Sequence, residues 1–151
     1  MSERQTVAIE VRHRYAASPE RVFDAWLDAE QARRWLFATP GGEMVVAEID
    51  PRVGGGFRFT DRRDGEDVEH VGEYLEIDRP RRLVFRFGVP KYSPDLDLVT
   101  IEIAPREDGG CELTLVHRTA PEWVEGADAA WSGILAGLER SLAGGGDTAA
   151  E

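Results

Sequence analysis

The stretch that decides the fold is PRVGGGFRFTDRRDGEDVEHVGEYLEIDRPRRLVFRF, residues 51–87. Apolar side chains recur at alternate positions over 57–62, 68–77 and 83–87, the period of a half-buried strand. The short links between these runs carry the turn-forming stretches Arg63-Asp64-Gly65 and Asp78 to Arg81. Parallel pairing needs a crossover of about a dozen residues or more, so strands joined this closely must pair antiparallel.

Working outward, the same period places strands at 43–50, 98–104 and 111–118. Their connections are Pro51 to Gly56, a long Gly88 to Asp95 loop containing Pro90 and Pro94, and Glu107 to Gly110. Upstream, Val7, Ile9, Val11, His13 and Tyr15 alternate with Ala8, Glu10, Arg12 and Arg14, which predicts a first strand. Ser18-Pro19-Glu20 reads as a helix start, with a hydroxyl cap, a proline whose missing N–H costs nothing there, and an early carboxylate. Val22, Phe23, Ala25 and Trp26 share one face of that helix, and a second short helix is expected over 30–35. Downstream, Trp123, Ala127, Ala130, Trp131, Ile134, Leu135, Leu138 and Leu142 predict an amphipathic helix over 121–143. Gly144-Gly145-Gly146 is expected to stop it, leaving one domain at 6–143 and a disordered tail at 144–151.

The 151 residues, 42% hydrophobic and 31% charged, suit one domain. Eighteen basic and twenty-nine acidic side chains give a formal charge of −11 and a pI near 4.7, a field that repels nucleic acid and anionic lipid. No apolar run approaches the roughly 20 residues of a membrane span, and residues 1–6 lack the apolar region of a secretory signal. No membrane partner and a cytoplasmic setting are the expectations. Cys111 is the single cysteine, expected as a reduced, buried thiol.

The order strand, two short helices, six antiparallel strands and a long C-terminal helix is that of an α+β helix-grip fold, START-like or Bet v 1-like, with about seven strands in a curved sheet. Particular residues sharpen the likeness: Ser18 to Trp26 with Trp35, Gly54-Gly55-Gly56-Phe57-Arg58-Phe59, Gly72 to Ile77, Pro80 to Phe85, Leu113 to His117, and Trp131-Ser132-Gly133. In these the chain resembles the AHSA1-type branch of the SRPBCC superfamily, named for an activator of the Hsp90 ATPase, from Thr6 to about Leu142. The resemblance implies a curved sheet gripping the last helix with a cavity between them. Candidate lining residues on the helical segments are Trp35, Phe37, Trp123, Trp131 and Leu135. On the strands they are Phe57, Phe59, His70, Tyr74, Phe85, Phe87, Ile101 and His117. Large rings, each burying roughly 150–250 Å², either fill such a space or line it. Gly133 and Gly137 cost the helix about 1 kcal/mol each relative to alanine, which points to close backbone approach or to vacant room.

No pattern of residues declares a reaction. His117 shares a strand face with Leu113 and Leu115 and is expected inward, where it could orient a ligand, move a proton, or sit satisfied by a neighbour. His70 shares a face with Val68 and Tyr74, but Val71, Leu75 and Ile77 occupy the other face, implying a bulge at Gly72 or burial on both sides. No two histidines have the spacing of a metal site, and neither a metal nor a cofactor is expected. Gly54-Gly55-Gly56 leads into a strand without a following Lys-Ser/Thr, so it reads as a turn and not a phosphate loop. Cys111 adjoins a Gly-Gly turn, no serine occupies a Gly-x-Ser-x-Gly elbow, and the carboxylate runs read as solvated surface. Arg58 and Arg86, alternating with phenylalanines, are expected on the outer face. The first reading of function is therefore binding or carriage of a small hydrophobic ligand by a monomer or homodimer. Two alternatives stand beside it: a cyclase- or dehydratase-like enzyme using His117, His70 or Tyr74, and an Hsp90 co-chaperone-like interaction module.

Overall fold

Alternating apolar side chains give each strand one face that must leave water, and seven strands bury those faces together. The computed structural model describes residues 6–36, 42–91 and 96–150, save the side chains of Trp123 and of residues 143–150. Its elements are β1 (Val7–Tyr15), α1 (Pro19–Leu27), α2 (Ala29–Ala32), β2 (Glu43–Ile49), β3 (Gly56–Arg63), β4 (Glu66–Asp78), β5 (Arg82–Gly88), β6 (Asp97–Pro105) and β7 (Cys111–Thr119). A 3-10 turn (Pro121–Trp123) and α3 (Ala127–Ala150) follow. The sheet is antiparallel throughout, in the order β1-β7-β6-β5-β4-β3-β2. Strands β2 to β7 form a meander, and the helices after β1 carry the chain from one edge of the sheet to the other.

Local chemistry accounts for the boundaries. The Ser18 hydroxyl accepts the Arg21 N–H at 3.2 Å, and Pro19 opens α1, as the sequence predicts. Asp64 and Gly65 both have positive φ (52° and 78°), the two-residue hairpin turn that joins β3 to β4. Three expectations change. The helix expected over 30–35 shortens to α2, because Arg34 N–H and Trp35 N–H reach back three residues, to Gln31 and Ala32, and tighten the turn that carries Trp35 inward. The last helix begins at Ala127, after Gly126 in the left-handed region at φ 85°. At its other end Gly144-Gly145-Gly146 does not stop α3, which runs on to Ala150. Glycine keeps its N–H, so continuing costs only about 1 kcal/mol per residue relative to alanine, against roughly 3 for proline.

The two apolar faces of β4 have a resolved cause. Its pairing with β5 is regular from Val71 to Tyr74 and again from Glu76 to Asp78, with a shift between Tyr74 and Glu76. Leu75 is thus the extra residue of a bulge, and Ile77 joins His70 and Tyr74 on the inner side. The bulge lies at Leu75 and not at Gly72. Gly72 has another task, since a Cβ there would fall 2.2 Å from the Phe57 ring and 2.5 Å from the Arg86 carbonyl oxygen.

The core lies between the inner face of the sheet and the three helices, with Phe23, Phe59, Ile101, Leu113, Leu115, Leu135 and Leu138 fully buried. Tyr15 donates its hydroxyl to the Leu135 carbonyl at 2.9 Å, and His13 contacts Glu139 at 2.7 Å, so α3 is fastened to β1. Arg21 adds a bond to the Leu142 carbonyl at 3.1 Å. Cys111 is a buried free thiol whose pKa burial pushes up to about 11. Arg58 is on the outer face, 3.1 Å from Glu48. No described helix is long and apolar enough to cross a membrane.

Candidate functional site

Each strand carries its inward residues past two different environments. On β3 the inward series is Phe57, Phe59, Asp61, Arg63, on β5 it is Leu83, Phe85, Phe87, and on β7 Leu113, Leu115, His117. The apolar ends of these series pack solid. Phe57, Tyr74, Phe85 and Trp26 form edge and tilted ring contacts with centroids 5.4–6.4 Å apart. The other ends face a half-open pocket of about 840 Å³ between the sheet, the turn after α2, and α3 from Ala127 to Arg140.

One wall of this pocket is aromatic. His70 stacks on Phe87 at 6.3 Å with planes 5° apart, and Phe87, His117 and Trp131 contact one another at 5.8–6.0 Å. Small residues of α3, Ala127, Ala129, Ala130, Gly133 and Gly137, form much of the remaining lining, with Ile134 and Trp35. The two helix glycines serve different ends. At Gly137 a Cβ would meet Trp35 at 3.6 Å, so this glycine permits close approach; at Gly133 a Cβ meets nothing within 4 Å, so room is left there. Arg34, Arg63 and Arg140 complete the lining.

Hydrogen bonding fixes the state of His117. The Trp131 indole can only donate, so its Nε1–H donates to His117 Nδ1 at 2.9 Å, and that nitrogen carries no proton. The proton is on Nε2, which donates to the Asp97 carboxylate at 2.9 Å. Both ring nitrogens are engaged, and the imidazole holds Trp131 in the wall. His70 has Nδ1 3.4 Å from the Phe59 carbonyl oxygen. Burial first, and then the Arg63 charge, lower its pKa from 6.5 to about 4, so this ring is neutral near pH 7. Arg63 lies 2.8 Å from Asp61, a carboxylate only 1% exposed. Tyr74 is driven upward by burial and keeps its proton. Among the described residues no three His, Cys, Asp or Glu side chains group as a metal site would require.

Of the residues singled out in the sequence, Trp35, His70, Phe87, His117 and Trp131 come together around the pocket. Phe57, Phe59, Tyr74, Phe85, Ile101 and Leu135 are instead packed in the core, because they sit further along the same strands and helix, where facing side chains fill the gap. Phe37 and the Trp123 side chain lie outside the described residues. Sequence reasoning missed Asp97, the partner of His117, and all three arginines. A signal for Arg63 was present, since it continues the alternation of Phe57 and Phe59.

Comparison with known proteins agrees with this architecture. The model of the family described as activator of Hsp90 ATPase homolog 1-like protein matches residues 16–143. The crystal structure of protein CV1439 from Chromobacterium violaceum is 27% identical, with a TM-score of 0.78 over 88% of this chain and 94% of its own. Protein Mll3558 from Rhizobium loti is 26% identical, with a TM-score of 0.69 over 93% of this chain and 99% of its own. The solution structure of the AHSA1-like protein from Aeromonas hydrophila, 22% identical, has the same fold at a TM-score of 0.81, covering 93% of this chain and 94% of that one. No curated protein matches the chain.

Proposed function

Because the chain belongs to the family of activator of Hsp90 ATPase homolog 1-like proteins and has the helix-grip fold, we propose that it binds a small hydrophobic molecule in the pocket beside α3. The observation that carries this reading is the half-open space of about 840 Å³ walled by His70, Phe87, His117 and Trp131. Ligand pockets commonly run from about 300 to 1,000 Å³ with mostly apolar walls and a few placed polar groups. Binding is favoured over turnover because His117 has both nitrogens engaged, leaving no lone pair on that ring to take a substrate proton. A cytoplasmic setting, as a monomer or homodimer, belongs to the same reading.

The test uses the neutral fluorophore N-phenyl-1-naphthylamine. The protein is expected to bind it with a blue-shifted emission, and Gly133→Trp, which puts a ring into open space, to weaken binding about tenfold or more with Tm held or raised. Absence of binding, or binding untouched in a folded Gly133→Trp protein, would overturn the proposal.

A further inference from the structure

The charge of the pocket runs against the charge of the molecule. The chain has 29 acidic and 18 basic side chains, yet among the described lining residues three are arginines and none is acidic. Elsewhere cations are mostly met by carboxylates, as in Arg52 with Asp50, Arg62 with Asp67, Arg79 with Asp24 and Arg82 with Glu76. At the pocket, Arg63 is met by Asp61, and Asp97 is hydrogen-bonded to His117. The guanidinium groups of Arg34 and Arg140 have neither an ion pair nor a hydrogen bond to any described residue. They come from different elements, the turn after α2 and the middle of α3, and line one pocket; a Cβ built at Gly137 would lie 3.6 Å from both the Arg140 guanidinium and the Cβ of Trp35, the neighbour of Arg34.

We propose that the molecule this pocket takes is an amphipathic organic anion, its apolar body against the His70, Phe87, His117 and Trp131 wall and its anionic head against Arg34 and Arg140. This rests on the pocket's being a binding site, as proposed above. A guanidinium fork matches a planar carboxylate, or a sulfonate or phosphate, in two parallel hydrogen bonds, and the aromatic wall beside it receives the rings or chain that such a head carries. The net charge of −11 repels anions in general, so any preference for one must come from a local reversal of sign.

Two probes with one body separate the head from the tail: 8-anilinonaphthalene-1-sulfonate, and N-phenyl-1-naphthylamine, which lacks the sulfonate. At low ionic strength the full chain is expected to bind the sulfonate at least as tightly as the neutral probe. The Arg34→Gln, Arg140→Gln double variant is expected to weaken the sulfonate about tenfold while leaving the neutral probe within about twofold. Salt should weaken only the sulfonate. Neutral-probe binding that Gly133→Trp weakens, together with sulfonate binding that is absent, unaffected by the double variant or untouched by Gly133→Trp, would overturn the anion inference and leave the hydrophobic pocket standing. Failure of both probes to bind would remove the pocket reading and this inference with it.

Discussion

His70 has the most consequential titration. Its folded pKa of about 4 lies below the 6.5 of the unfolded chain, so the unfolded state takes up the proton first. Stability is therefore fully present above about pH 6.5 and is lost as the pH falls toward 4, by up to about 3 kcal/mol from this one group. Urea denaturation of the wild type and His70→Gln at pH 7 and pH 4 checks this. The difference between the two proteins should shift in favour of the variant by about that amount on acidification, while the carboxylates common to both cancel. A pH-independent difference would mean that the ring is not held neutral by its surroundings. At this scale much was legible: His117 could be placed inward by parity with Leu115, but its partner Asp97 could not, because Asp97 is the first residue of β6, one position before the strand expected over 98–104, and its contact with His117 depends on the β6–β7 register.

Among the elements, β4 shows how a single inserted residue misleads a reading by alternation. Val71, Leu75 and Ile77 share one parity in the sequence, yet the bulge at Leu75 turns Ile77 inward while Val71 stays on the other face. Gly72 offered a visible reason for irregularity, and its true role is clearance for Phe57. Gly72→Ala is accordingly expected to cost about 3 kcal/mol, since ring and backbone carbonyl would both have to move. Chemical denaturation measures it; a loss below about 0.5 kcal/mol would show that the strand yields easily. The helices were legible for a different reason. Ser18 and Pro19 act within one turn of themselves, so sequence alone carries the signal. The Gly144 to Gly146 run acts only through a weak preference, which the preceding turns of α3 override.

Across the whole molecule, the meander was readable because short links leave no other pairing, and β1 could be assigned to the same sheet before its partner was known. The division of the inner face into a filled end and an open end was not readable, since both ends use the same aromatic residue types. Phe85 and Phe87 are neighbours on one strand face, and only what α1 and α3 place opposite them decides that the first is core and the second is wall. Arg34 and Arg140 were hidden in the same way, each resembling ordinary surface until the fold brings them to one pocket. The fastening of α3 is uneven along its length. Leu135, Glu139 and Leu142 are tied to Tyr15, His13 and Arg21, whereas the turns from Ala127 to Ile134 reach the sheet through the Trp131 to His117 bond. A rod clamped over its middle third leaves its first eight residues as a cantilever. Residues 127–134 should exchange amide protons faster than residues 135–142, and equal protection over the two stretches would refute that. A guest could then enter and leave by the bending of two helical turns while the sheet stays shut behind it, so residence time would be set by stiffness at the clamp and affinity by the walls.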